Sequence, residues 1–208
     1  MKKRYVFDLD GTLLTGSFDF EKDYFESVYG DDSIDLVNNM GMYLDEYEKT
    51  FPKYRRDDLS SFLSLKSGIL VTPKIIDGWI EVMSDVPDTM EDDIIYVLEE
   101  LKKKDCSLAV LTNWFGETQI PRLKRAGMIE YFDNIYTGDL TLKPHKQSYE
   151  IARSDYKKNE CIFIGDNIDK DYIGPRACGM ESVLYDKNER FHNSLVKVKK
   201  MDEMLKKY

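Results

Sequence analysis

A set of short apolar runs, each halted by a polar turn, constrains this chain more than any other feature. Residues 5–7 run into Asp8, residues 107–111 into Thr112, and residues 161–164 into Gly165 and Asp166. Residues 134–137 and 182–185 are weaker examples of the same pattern. Continuous apolar runs of this length, rich in β-branched and aromatic residues, predict strands covered on both faces. Helix-period segments lie between them. Residues 91–104 put Ile94, Ile95, Val97, Leu98 and Leu101 on one side and end in three lysines, which suits a helix C-terminus. Residues 119–126, 147–154 and 172–178 predict further short helices. Strands alternating with helices imply right-handed βαβ units, and so an α/β fold with a doubly wound, Rossmann-like parallel sheet.

Residues 16–85 break this rhythm. They hold no convincing buried strand, but show helical patterns at 20–28, 34–48, 59–65 and 73–83, punctuated by glycine and proline. The expected organisation is an α/β core from 1–15 and 86–208, with an all-helical insertion at 16–85. The insertion has 15 acidic and 7 basic residues, a net charge of -8, out of -9 for the 208-residue chain. With 42% apolar residues a packed core is expected rather than disorder. The acidic balance argues against a nucleic-acid partner, and no apolar run approaches the roughly 18 residues of a membrane span. Three cysteines without CxxC spacing predict neither a disulfide framework nor a zinc knuckle. The basic Met1-Lys2-Lys3-Arg4 start leads into an Asp-rich stretch rather than a signal-peptide core, so a cytoplasmic protein is expected.

Ligands of an open parallel sheet bind outside the carboxyl ends of its strands. The polar residues placed there are Asp8, Asp10, Thr112, Asn113, Gly165, Asp166 and Asn167, with Lys143-Pro144 in a loop able to reach the same edge. Carboxylates converging on one rim need a cation among them, and hard oxygen ligands without nearby His or Cys favour Mg²⁺. A divalent ion, a lysine and hydroxyl or amide donors around one aspartate suit a phosphoryl group in its transition state.

Asp8-Leu9-Asp10-Gly11-Thr12, Thr112-Asn113, Lys143-Pro144, and Gly165-Asp166 followed by Asp171 resemble the four ordered motifs of the haloacid dehalogenase superfamily. The match runs through residues 5–185, and the helical insertion resembles the cap of its C1 subclass. The resemblance implies that Asp8 attacks phosphorus and that Asp10 serves as acid and then base. It implies Mg²⁺ held by the Asp8 carboxylate, the Asp10 backbone carbonyl and Asp166, with Asp171 and Asn167 ordering that shell. Leu9, Thr112, Asn113 and Lys143 would surround the phosphate, with Thr112 and Lys143 taking part in catalysis. An acid at Asp10 favours a phosphate ester, since the dehalogenating branch lacks one there.

The activity implied is a Mg²⁺-dependent phosphatase of a small metabolite: a sugar phosphate, a phosphoglycolate-like ester or a nucleoside monophosphate. A phosphomutase of the β-phosphoglucomutase type, or a non-catalytic module on the same fold, remains open. The expected partner is a small phosphate ester, with neither nucleic acid nor membrane, and the expected state is a monomer or weak homodimer. His145 and His192 lack partners at recognisable spacing and read as surface residues, and Asn167 and Asp169 each read equally as part of the site loop or as exposed and merely polar. Trp114 reads equally as a substrate contact or as packing between the two lobes. Lys53-Tyr54-Arg55-Arg56 is the one basic cluster of the insertion and reads as a solvated run or a substrate contact.

Overall fold

The computed structural model describes residues 3–17 and 19–207; Met1 and Lys2 of the basic start, with Phe18 and Tyr208, lie outside. Its strands are β1 (Arg4–Phe7), β2 (Thr15–Gly16), β3 (Asp88–Thr89), β4 (Ser107–Leu111), β5 (Asn134–Tyr136), β6 (Cys161–Gly165), β7 (Glu181–Tyr185) and β8 (Lys197–Val198). Six of them form one parallel sheet in the order β5-β4-β1-β6-β7-β8. β1 sits at its centre, with Phe7 beside Val110 of β4 and Ile164 of β6. Three strands therefore end within a residue of one another. Asp8, Thr112 and Asp166 follow at a common rim.

Alternation along the strands explains the continuous apolar runs. Tyr5, Phe7, Leu108, Val110, Ile162 and Ile164 pack on one face against α5 (Ile94–Lys103), α6 (Gly116–Arg125) and the C-terminal turns. Val6, Ala109, Leu111 and Phe163 pack on the other against α7 (Lys146–Arg153) and the segment around Cys178 and Met180. Each fully buried side chain of this kind contributes about 1.5–3 kcal/mol over its exposed state. The sheet has helices on both faces, as its strands require.

The insertion is helical: α1 (Asp19–Tyr29), α2 (Ile34–Thr50), α3 (Arg56–Ser67) and α4 (Pro73–Ser84). Pro73 opens α4, where its missing N–H costs nothing, and Gly68 closes α3 at φ +76°. Phe25, Leu36, Met40, Tyr47, Leu59, Leu63, Ile76 and Trp79 form its own core, which Trp114, Phe115 and Leu142 of the α/β lobe complete from below. The two connections to the lobe pair with each other, β2 antiparallel to β3.

Three expectations need adjustment. The helix expected at 172–178 is a wider turn at Ile168–Ile173 followed by a short α8 (Gly174–Ala177). α6 begins at Gly116, three residues before its expected start. β8 has no counterpart in the sequence reading, since two residues with only Val198 buried leave no period to detect. Among the described residues, no helix is long and apolar enough to cross a membrane.

Candidate active site

Asp8 leaves β1 with its backbone N–H donating to the Ile164 carbonyl at 2.8 Å, which fixes the residue against β6. Its carboxylate accepts from Lys143 Nζ at 2.7 Å. The same ammonium donates to Asp171 Oδ1 at 2.6 Å. Carboxylate oxygens of Asp8, Asp166 and Asp171 lie within 4.8 Å of one another. Burial pushes the Asp8 carboxyl well above its ordinary range against the pull of Lys143, with Asp171 and Asp166 adding to the rise. Burial likewise raises Asp166, and the Asp171 charge adds to it. Burial opposes the charge on Lys143, but Asp171 and Asp8 outweigh it and push the pKa above the usual lysine range. Three crowded carboxylates face the Lys143 ammonium and, 3.5 Å from Asp166 Oδ2, the exposed Arg190 guanidinium, which still leaves excess negative charge, and the donors are hard oxygens. That set fits a divalent cation.

Glycine permits this crowding. Gly11 lies at φ +78°, and a Cβ there would stand 2.7 Å from Asp166 Oδ2. Asp171 is held by its turn as well as by Lys143: its Oδ2 accepts from the Asn167 N–H at 3.1 Å. The exposed Asn167 side chain caps that turn, accepting from the N–H groups of Asp169 and Lys170 at 3.0 Å each. Asn167 therefore shapes the loop that carries Asp171, while Asp169 is exposed. Asn113 makes a two-way clamp on the opposite loop. Its Nδ2 donates to the Lys143 carbonyl at 2.8 Å, and its Oδ1 accepts from the Lys143 N–H at 2.9 Å. The Lys143-Pro144 bond is cis.

Asp10 stands apart from the acidic cluster. One carboxylate oxygen pairs with Arg122 Nη1 at 2.7 Å and the other accepts from Gln119 Nε2 at 2.6 Å. Gln119 also donates to Thr112 Oγ1 at 2.9 Å. Leu9, between the two aspartates, buries its side chain completely, and its carbonyl accepts from Leu13 and Leu14 at 2.9 Å, closing the loop after β1. Asp8, Thr112, Asn113, Lys143, Asp166 and Asp171 meet at the rim, with Asp10 beside them in the loop after β1, held by Gln119 and Arg122 of α6. Gln119 and Arg122 are absent from the sequence reading. The available signal was a pair of polar residues one turn apart on α6, both turned inward where an apolar stripe would normally lie.

A cavity of about 210 Å³ opens from Asp10, Gly11 and Asn113 towards the insertion, where Tyr54, Trp79, Trp114, Glu21 and Glu48 line it. Trp114 sits at φ 134° and packs edge-on to Trp79 at 4.4 Å and to Tyr54 at 5.2 Å. It packs between the lobes and also lines the cavity. Of the basic run 53–56, only Tyr54 reaches that lining. Arg56 pairs with Asp77 of α4 and Glu117 of α6 and covers the Phe115 ring. His192 is exposed, whereas His145 is half-buried, with Nε2 enclosed and lacking a hydrogen-bond partner.

A family model described as haloacid dehalogenase-like hydrolase matches residues 2–179. Ribulose-1,5-bisphosphate 5-phosphatase of Halopiger xanaduensis is 34% identical over 116 residues, covering 54% of this chain and 46% of that protein. Glyceraldehyde 3-phosphate phosphatase of Methanocaldococcus jannaschii is 25% identical over 88% of this chain and 84% of its own length. The chain thus aligns with less than half of the first relative and with most of the second. Among solved structures, the magnesium-bound HAD-hydrolase YfnB of Bacillus subtilis superposes with a TM-score of 0.71 at 16% identity, over 99% of this chain and 97% of that one. At that identity the likeness speaks for the fold.

Proposed function

The chain belongs to the haloacid dehalogenase-like hydrolase family, and on that premise we propose that it is a Mg²⁺-dependent phosphatase of a small phosphate monoester. The observation that carries this reading is the Asp8 carboxylate, held by Lys143 at 2.7 Å beside Asp166 and Asp171 at the end of the central strand. Asp8 attacks phosphorus, forming a carboxylate O–P bond as the ester P–O bond breaks. Asp10 gives its proton to the departing oxygen. It then takes a proton from the water that attacks the aspartyl-phosphate, which frees inorganic phosphate and restores both carboxyl groups. Asp8, Asp166 and the backbone carbonyl of Asp10 would hold Mg²⁺, which when bound supplies positive charge to the phosphoryl oxygens. Lys143 neutralises Asp8 and Asp171, and Thr112 and Asn113 bind phosphate oxygens with the backbone at Leu9.

Residues 16–85 act in this reading as a cap, and the cavity beneath it takes the rest of the substrate. Two relatives named as phosphatases of phosphorylated sugars support a small-metabolite substrate. The test is phosphate release across a panel of sugar, glycolate and nucleoside monophosphates. Turnover is expected for at least one ester, abolished by EDTA, restored by Mg²⁺ and absent in Asp8→Asn. Asp8→Asn retaining more than a few per cent of activity, or full activity in chelator, would overturn the reading.

A further inference from the structure

Asp10 carries the proton in the reaction proposed above, yet neither of its carboxylate oxygens is free. Oδ1 is paired with Arg122 Nη1 at 2.7 Å, and Oδ2 accepts from Gln119 Nε2 at 2.6 Å. The two partners are fixed to each other, Arg122 Nη1 donating to Gln119 Oε1 at 2.7 Å. Both are shut away from solvent, Gln119 at 0% and Arg122 at 4% exposure. A guanidinium buried so deeply, one turn from a buried amide, is an expensive way to pack a helix unless the charge has work there. Its far edge is occupied too. Arg122 Nη2 and Nε donate to Asp88 Oδ1 and Oδ2 at 2.6 and 3.0 Å, a two-point contact that fixes the plane of the guanidinium. Asp88 belongs to β3, which pairs with β2, the strand by which the chain enters the cap.

We propose that Gln119 and Arg122 are positioning residues for Asp10, and that Asp88 ties the setting of Asp10 to the paired strands joining cap and core. The inference rests on the reading of Asp10 as the proton donor. Gln119 performs a second alignment, because the same Nε2 donates to Thr112 Oγ1 at 2.9 Å and so fixes the phosphate-binding hydroxyl relative to the donor. Arg122 sets the direction of the carboxylate, and its two-point grip on Asp88 makes that direction depend on where β3 lies. A shift of the connecting strands moves Asp88, then the guanidinium, then Asp10. The protonating group is thereby referenced to the cap rather than to the core alone.

Leaving groups distinguish this role from simple structural support. An alkoxide needs a proton as its bond to phosphorus breaks, whereas p-nitrophenolate leaves without one. Asp88→Asn, Arg122→Lys and Gln119→Leu would be assayed for kcat and KM on p-nitrophenyl phosphate and on the best alkyl phosphate from the panel, beside Asp10→Asn and Asp8→Asn. Asp88→Asn is the deciding variant, since Asp88 touches none of the reacting groups. Its kcat/KM, which reports the transfer to Asp8 and not the later hydrolysis common to both esters, should fall at least tenfold further on the alkyl ester than on the aryl ester. Arg122→Lys should show a milder form of the same split. Equal losses on both esters, or no loss, in an Asp88→Asn protein with native near-UV dichroism would overturn the proposal. Should Asp88→Asn fail to fold, Arg122→Lys decides by the same split. If Asp10→Asn itself shows no split, Asp10 is not the donor and the proposal falls with that assignment. If Asp8→Asn remains active, the failure lies in the phosphatase reading.

Discussion

Glu21, on α1 in the cavity wall, sits in surroundings unlike water. Burial raises its pKa from the ordinary 4.5 to about 7, while the neighbouring Trp79 indole draws it back slightly. Below pH 4.5 the group is protonated folded or unfolded, and it contributes nothing to stability. Between 4.5 and 7 the unfolded chain releases the proton while the folded protein keeps it, so stability falls as the pH rises. Above 7 the loss is complete, at about 3 kcal/mol taking roughly 1.36 kcal/mol per pH unit. Glu21→Gln should escape that penalty, so its melting temperature should gain on the wild type between pH 5 and pH 8. Parallel melting curves would show that Glu21 meets water in the folded protein. Legibility in the sequence follows a similar divide among residues. Asp8, Thr112 and Asp166 each follow an apolar strand directly, so their position can be read from the run before them. Gln119 and Arg122 act through a helix face turned towards a loop about 110 residues earlier, and no local period records that.

The turn Ile168–Ile173 shows how elements, rather than single groups, set the site. It carries Asp171 into the acidic cluster, and its Lys170 pairs with Glu48 of α2 and, at 3.4 Å, with Asp45. Glu48 also accepts from the Tyr54 hydroxyl at 2.6 Å and is 5% exposed. A cap helix is thus tied to the loop behind Asp171. Lys170→Met strips a buried carboxylate of its cation and should destabilise the protein by about 3 kcal/mol or more. Adding Glu48→Gln should recover much of that loss, a coupling that urea denaturation of the two single variants and the double variant would measure. Additive losses would mean that the pair is solvated and ties nothing. The inner strands β1, β4 and β6 were legible because each is apolar on both faces, and the cap helices because Gly and Pro mark their ends. The turn at Ile168–Ile173 was not, because its shape comes from Asn167 capping two N–H groups and from Tyr149 donating to the Lys170 carbonyl at 2.6 Å. β2 and β3 are two residues each and exist only as partners of one another.

For the molecule as a whole, charge and shape are divided between two lobes. The segment 16–85 carries a net charge of -8, and the rest of the chain -1. Two of its carboxylates, Glu21 and Glu48, line the cavity, Glu21 bearing charge mainly above pH 7 and Glu48 already paired with Lys170. The lid's charge therefore acts through its outer acidic residues, while Arg56 is engaged with Asp77 and Glu117. A lid of this sign repels polyanions over a distance set by salt, about 10 Å at 0.1 M. A nucleoside monophosphate should therefore exceed its triphosphate in kcat/KM at low salt, and the gap should narrow as salt rises. A better triphosphate, or a ratio indifferent to salt, would show that the lid's charge faces elsewhere. The same division bears on descent. Thr15 pairs with Thr89 and Gly16 with Asp88, so the inserted lobe leaves and rejoins the sheet at a single doorway. A segment whose ends are already neighbours asks little closure entropy of its host. One lineage can therefore exchange this lobe for another and alter which molecules are admitted, while inheriting the chemistry unchanged. The newcomer has to meet one condition, a cover for Trp114, Phe115 and Leu142, since Asp88, the partner of Arg122, stays with the host.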